Sequence, residues 1–157
     1  LASLTGNAGF AKNFFSRYVY GQQMPDFQSL FAAMGLSLSP AHPDKAFLTA
    51  VTMSEKDKKL TVDSNTLIGT PLYQAGVDKG DVLLKLGRSK LSSKAQWDKA
   101  VARYKVGEKA QLSFSSRGKS YTTEVIFVAD PGWALTENKA ASTEQLAKRA
   151  LWLQAQP

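Results

Sequence analysis

The chain has 157 residues, 43% apolar and 21% charged, with eight Phe, three Trp and five Tyr; this composition folds and excludes a disordered chain. Its length allows one domain with attachments, or at most two small ones, and is too short for a multidomain enzyme. The net charge is +7, and with no Cys and one His (His42) a disulfide framework, a thiolate zinc site, a Cys nucleophile and a two-His metal cluster are all excluded.

Residues 10 to 36 read as two helices. Phe10, Phe14, Phe15, Tyr18 and Val19 recur at helical spacing before Gly21. Pro25 then suits a first turn, Phe27, Leu30, Phe31 and Met34 form an apolar stripe, and Gly35 ends it. Two short helices with so many aromatics need a partner surface. Residues 37 to 46, with Pro40, Pro43, Ser37, Ser39 and His42, have the composition of a connector, and a domain boundary is expected there. His42 has no second His to work with and reads as a linker residue.

From Ala46 the apolar period changes to two. The run 46–53 and the stretch 59–64, separated by a polar turn, predict an antiparallel pair. Gly69, Thr70 and Pro71 are expected to end a strand and open one helical turn through Ala75. Gly76 and Gly80 break the chain, and Val82 to Leu86 is a buried strand closed by Gly87. Ser92 or Ser93 starts the main helix, with Gln96 completing a capping box and Trp97, Ala100, Val101 and Tyr104 on one face until Gly107. Lys109 to Ser115 and Tyr121 to Val128 form a hairpin around Arg117-Gly118. After Asp130-Pro131-Gly132, a second box from Ser142 to Gln145 opens a terminal helix carrying Leu146, Ala150, Leu151 and Leu153, read as a packed helix and not a membrane anchor.

Charge is concentrated between Lys79 and Lys119, where eleven Lys or Arg face only Asp81, Asp98 and Glu108. The bases stand singly, at strand and helix spacing, so the favoured reading is a solvated face; nucleic acid is the weaker alternative. No run approaches eighteen consecutive apolar residues, so no membrane span is expected. A chain beginning at Leu1 is expected to be part of a longer one, and its compartment, cytoplasm or periplasm, stays open.

The run Gly69-Thr70-Pro71-Leu72-Tyr73-Gln74-Ala75-Gly76-Val77-Asp78-Lys79-Gly80-Asp81-Val82-Leu83 resembles the "GSPA..AGL..GD.I" signature of bacterial PDZ domains, over about residues 45 to 128. Gly76 and Gly80 would allow turns that a side chain obstructs, and Asp81 can accept backbone N–H groups there. The preceding FFSRYVYGQQMPDFQSLFAAMGL and the closing TEQLAKRALWL are similar to the segments flanking the PDZ domain in the glycyl aminopeptidase family of zinc metallopeptidases.

The resemblance implies an α+β fold: a PDZ-like small β-sandwich or barrel of five to six strands with one main helix, flanked by helical arms. It divides the chain into a helical arm and linker (1–44), the PDZ domain (45–129), and a C-terminal linker and helix (130–157). It also implies a parent that removes N-terminal Gly or Ala, using zinc on a His-Glu-x-x-His helix in a catalytic domain outside this sequence. No residue here matches that motif, so neither zinc ligand nor general base is carried over.

A PDZ domain binds an extended peptide as an added strand beside its main helix, and loop N–H groups hold the terminal carboxylate. That loop and strand are expected at Phe47, Leu48, Thr49, Ala50 and Val51, opposed by Lys94, Trp97 and Val101. Thr49 stands where such domains usually have Gly, which puts the loop's shape and carboxylate capture in question. Trp97 reads as core or as groove wall, and Lys94 as a solvated lysine or a carboxylate partner. The partner is then a peptide or protein C-terminus, or the parent's own catalytic domain. The alternative is a structural interdomain or dimerisation module with an unused groove, forming a homo-oligomer.

Overall fold

The computed structural model describes residues 1–154, and the chain divides into two compact units, Leu1–Ser39 with Ala134–Pro157 and Pro40–Trp133. In the first unit a short turn, α1 (Ala2–Thr5), leads to α2 (Ala8–Phe14). Asn7 caps α2 by accepting from the Phe10 N–H (2.8 Å), and a π-helical turn over Phe15–Val19 extends it. The next helix, α3 (Phe27–Ala32), is capped by Asp26, whose carboxylate takes the Ser29 N–H and hydroxyl. Asp26 rather than Pro25 therefore sets the helix start, and those bonds hold its carboxyl below the usual range. The expected connector holds a strand, β1 (Leu36–Pro40). Ser and Pro mask it in the sequence because its partner lies far along the chain.

The second unit opens with β2 (Ala46–Phe47), β3 (Met53–Lys56) and β4 (Lys59–Val62). The predicted strand over 46–53 is thus interrupted at 48–52. No strand ends at Gly69 either; residues 63–70 are irregular, tied down where buried Thr66 donates to the Val77 carbonyl (2.8 Å). The turn α4 (Pro71–Gln74) follows, capped by Thr70. Beyond it, Asp81 accepts from the Asp78 N–H (2.9 Å) as expected. Gly76 and Gly80 are required for a different reason from obstruction: a Cβ at either meets nothing within 4 Å, but φ is +79° and +90°.

Next come β5 (Val82–Leu86), β6 (Ser89–Lys90), α5 (Lys94–Val101), β7 (Lys109–Ser116), β8 (Lys119–Ile126) and β9 (Val128–Ala129). All pairings with a defined register are antiparallel, in the order β3-β4-β5-β7-β8 with β6 also on β5, while β2 pairs with β9 separately. The sheet ends at β3 and β8 and does not close on itself, so the barrel alternative is corrected to an open α+β sheet. Six strands form it. Period-two burial places Leu60, Val62, Leu112, Phe114, Val125 and Phe127 in the core, a register shift after Leu83 turns both Leu83 and Leu86 inward, and Trp97 and Ala100 of α5 join them. The helix stops at Val101, so Tyr104 is not helical; its ring stacks on Phe127 at 4.5 Å instead.

The first unit is completed by β10 (Trp133–Glu137), which pairs with β1, and by α6 (Thr143–Gln154). The capping box opening α6 is reciprocal: Ser142 Oγ accepts from the Gln145 N–H (3.2 Å), and Gln145 Oε1 accepts from the Ser142 N–H (2.8 Å). Gln145 Nε2 also donates to the Ala32 carbonyl (2.8 Å), tying α6 to the end of α3. Gly35 lies beside that tie with φ +67°, and a Cβ there would stand 2.6 Å from the Ala141 Cβ. Gly35→Ala is expected to destabilise this unit by about 2 kcal/mol, from left-handed strain plus overlap, read as a lower thermal midpoint. No change in midpoint would show that α6 can shift freely at Ala141.

Candidate functional site

Two segments of the second unit form a cleft of about 360 Å³. One wall is the irregular stretch after β2, where Phe47, Leu48, Thr49, Ala50 and Val51 all contribute. The other is α5, contributing Lys94, Trp97, Asp98 and Val101. Those four recur at i, i+3, i+4 and i+7, one face of a helix. The eight residues singled out in the sequence therefore lie together on one cleft, and Lys45, Ala46, Met53, Asp98 and Asp130 complete it.

Their contributions differ. Leu48 and Trp97 are buried in the core, so Leu48 offers mainly backbone and Trp97 the edge of a core side chain. Phe47, Val51, Met53 and Val101 are half-buried and supply an apolar lining. Lys94 is not free: its ammonium pairs with the Asp98 carboxylate one turn on. Both heads remain exposed, so the pair is weak and exchangeable.

The walls are held at both ends. Glu55 of β3 reaches the start of α5, where its carboxylate accepts the Lys94 N–H (2.6 Å). At the opposite end Lys45 Nζ meets Asp130 Oδ2 at 3.0 Å, and Asp130 Oδ1 accepts the Gly132 N–H at 2.9 Å. The Gly132 N–H, followed by Lys45, holds the Asp130 carboxyl below the usual carboxylate range. Sequence reasoning missed Asp130 because only long-range pairing of β2 with β9 brings it to Lys45. Asp98 was legible, four residues after Lys94.

The stretch between these clamps is rich in unused donors. Its flanks are engaged: the Leu48 carbonyl accepts from the Leu72 N–H (3.2 Å), and the Thr52 N–H donates to Ser64 Oγ (3.0 Å). Between them, the N–H groups of Leu48, Thr49, Ala50 and Val51 donate to no acceptor among the described residues. Thr49 Oγ1 is also buried with no hydrogen-bond partner among the described residues. A buried hydroxyl left unpaired costs about 1–3 kcal/mol, which an incoming acceptor would relieve. Thr49 achieves this without positive φ; the left-handed non-glycine residues are Asp57, Lys58 and Arg117. Where such domains usually have Gly, this loop has Thr49 in ordinary backbone.

Among the described residues, no group of three or more His, Cys, Asp or Glu could hold a metal ion, so no step through zinc is assigned to these residues. No helix among them is long and apolar enough to cross a membrane.

An open antiparallel sheet whose last strand lies near a helix defines the class: an α+β module. The sequence matches no protein-family model and no curated protein. Among solved structures, the chain is similar to an aminopeptidase N family protein from Idiomarina loihiensis, with TM-score 0.68 at 14% identity over 86% of this chain. It is also similar to the HtrA-type protease AlgW solved with a decapeptide, with TM-score 0.51 at 16% identity over 63% of this chain. At these identities the likeness is one of fold. The chain spans 25% of the aminopeptidase's length and 32% of the HtrA-type protease's, so its fold is shared with parts of longer proteases.

Proposed function

We propose that this chain is a PDZ-like peptide-binding module, non-catalytic by itself, from the C-terminal region of a zinc aminopeptidase of the glycyl aminopeptidase family. The observation that carries the reading is the run of four consecutive backbone donors, Leu48 to Val51, with no acceptor among the described residues, on a cleft lined by α5. An extended peptide supplies what such a run lacks: a terminal carboxylate for the loop donors and carbonyls along a new strand. The apolar lining from Phe47, Val51, Met53 and Val101 suits an apolar C-terminal side chain. The AlgW neighbour's decapeptide is consistent with a fold that receives peptides.

In the parent, the partner is either an external protein C-terminus or a segment of the catalytic domain that carries the zinc. Titrating a library of free C-terminal peptides into the full chain is expected to give micromolar-range binding, with amide shifts at residues 47–51 and along α5. A library that moves none of these amides sinks the proposal.

A structural interdomain or dimer-forming module is the second reading. It is favoured by the large apolar side chains exposed on the first unit, among them Phe10, Leu30, Leu151 and Trp152. Sedimentation as a stable dimer, with peptide binding absent, would put that reading first.

A further inference from the structure

The second face of α5 carries a different chemistry. Gln96, Lys99 and Ala100 stand on it, displaced by two residues, about 200° around the axis, from the peptide-cleft face, and Arg103 follows in the turn just after the helix. They line a separate open cleft of about 280 Å³, bordered by Arg88 of the β5–β6 turn and Ser89 and Lys90 of β6. The sequence spreads these bases singly; the fold collects four of them, with no carboxylate among the lining residues.

We propose that this cleft is an anion site for a small ligand bearing adjacent phosphate groups. Three observations carry it. First, Arg88, Lys90, Lys99 and Arg103 belong to none of the chain's ion pairs among the described residues, whereas Lys45, Lys94, Lys109, Lys148 and Arg149 each have a carboxylate partner. Four unpaired cations around one concavity repel one another and focus a positive potential into it. The ribbon adds to this, because Lys85 and Lys90 stand directly opposite in register, where like charges are unfavourable.

Second, two donors are already oriented. Ser89 Oγ accepts from Arg103 Nη1 (3.0 Å), fixing one edge of the guanidinium and leaving its other N–H groups available. Gln96 Oε1 accepts from both the Ser92 N–H (2.8 Å) and the Ser92 hydroxyl (2.9 Å), so its Nε2 remains to donate. Third, the cleft is small and shallow, open to solvent, so a ligand can be met by several of the bases at once. A planar guanidinium matches two oxygens of one phosphate, and the lysines supply point charge to its neighbour. This favours a discrete polyphosphate group over the extended stripe that a nucleic-acid backbone requires.

The site shares no residue with the peptide cleft, so it stands or falls separately from that reading. Inorganic tripolyphosphate titrated into the full chain is expected to shift amides at 88–90, 96, 99 and 103 while leaving 47–51 unmoved, with affinity falling as salt rises. Arg103→Gln and Arg88→Gln, both at exposed positions, are each expected to weaken binding about tenfold, as loss of one charge-assisted contact implies. Lys119→Gln is expected to change nothing. Cosedimentation with phosphatidylcholine vesicles, with and without phosphatidylinositol bisphosphate, tells the sources apart: binding only to the phosphorylated vesicles assigns the phosphates to a lipid headgroup, and binding only in solution assigns them to a free ligand. No shift at about 1 mM tripolyphosphate together with no vesicle binding overturns the proposal. Shifts spread evenly over Lys56, Lys58, Lys59 and Lys119 overturn it too, as does duplex DNA binding that Arg103→Gln leaves unchanged.

Discussion

Phe127→Ala is expected to cost the second unit about 3–5 kcal/mol, the range for truncating a buried aromatic side chain. Phe127 is 1% exposed and stacks on Tyr104 with an interplanar angle of 14°. Tyr104 in turn occupies the space over Gly87, where a Cβ would collide with its hydroxyl. The Phe127 backbone also closes the turn after α5, accepting from the Gly107 N–H (2.8 Å) and donating to the Glu108 carbonyl (2.9 Å). Removing the ring leaves a cavity and frees Tyr104, and the backbone bonds prevent the strand from collapsing to fill it. A domain is stable by only about 5–15 kcal/mol, so the urea midpoint should fall by a large fraction at nearly unchanged slope. Ile126→Ala is the control: its neighbouring side chain points to the other face of the strand, is 47% exposed, and should cost under about 1 kcal/mol. Equal losses for the two variants would mean that the ring is not a core element.

The contrast between those neighbours shows why much of the fold was legible. Alternation along β7 identifies its buried face, and Ser93 with Gln96 and Ser142 with Gln145 mark the two longest helices through local side-chain bonds. These signals are complete within a few residues. What was not legible depends on distant partners. Leu36–Pro40 reads as a connector because β10, its partner, begins more than ninety residues later. Met53 and Leu48 share one apolar run, yet only Met53 joins the sheet, because Leu48 is drawn into the core and its carbonyl is taken by Leu72.

The site follows the same division. Helical spacing alone put Lys94, Trp97 and Val101 on one face, whereas the Lys45–Asp130 clamp required tertiary pairing. The basic cleft was invisible for a similar reason: Arg88 and Lys90 belong to a strand turn, Lys99 to α5 and Arg103 to the turn after it, and only folding sets them around one cleft.

Amidating the C-terminus of a peptide that binds the cleft is expected to weaken it by about 30-fold or more. Hydrogen bonds to a charged group are worth about 1.5–3 kcal/mol each, so losing the charge at even one or two N–H donors accounts for that ratio. The change is made in the ligand, so the protein's fold is not at risk. Lys45 and Lys94 already have carboxylate partners in Asp130 and Asp98, so a peptide terminus would have to compete for them. On the proposed reading the carboxylate is recognised mainly by the N–H groups around Thr49, and a Lys94→Gln variant should retain most of the preference for the free acid. Thr49→Val then isolates the hydroxyl. If Oγ1 donates to the carboxylate, this variant loses part of the discrimination while gaining stability, because an unpaired buried hydroxyl has been removed. Equal affinity for acid and amide would mean that the peptide lies along the cleft without its terminus in the loop, and the four donors would then need carbonyl acceptors from the middle of an extended segment.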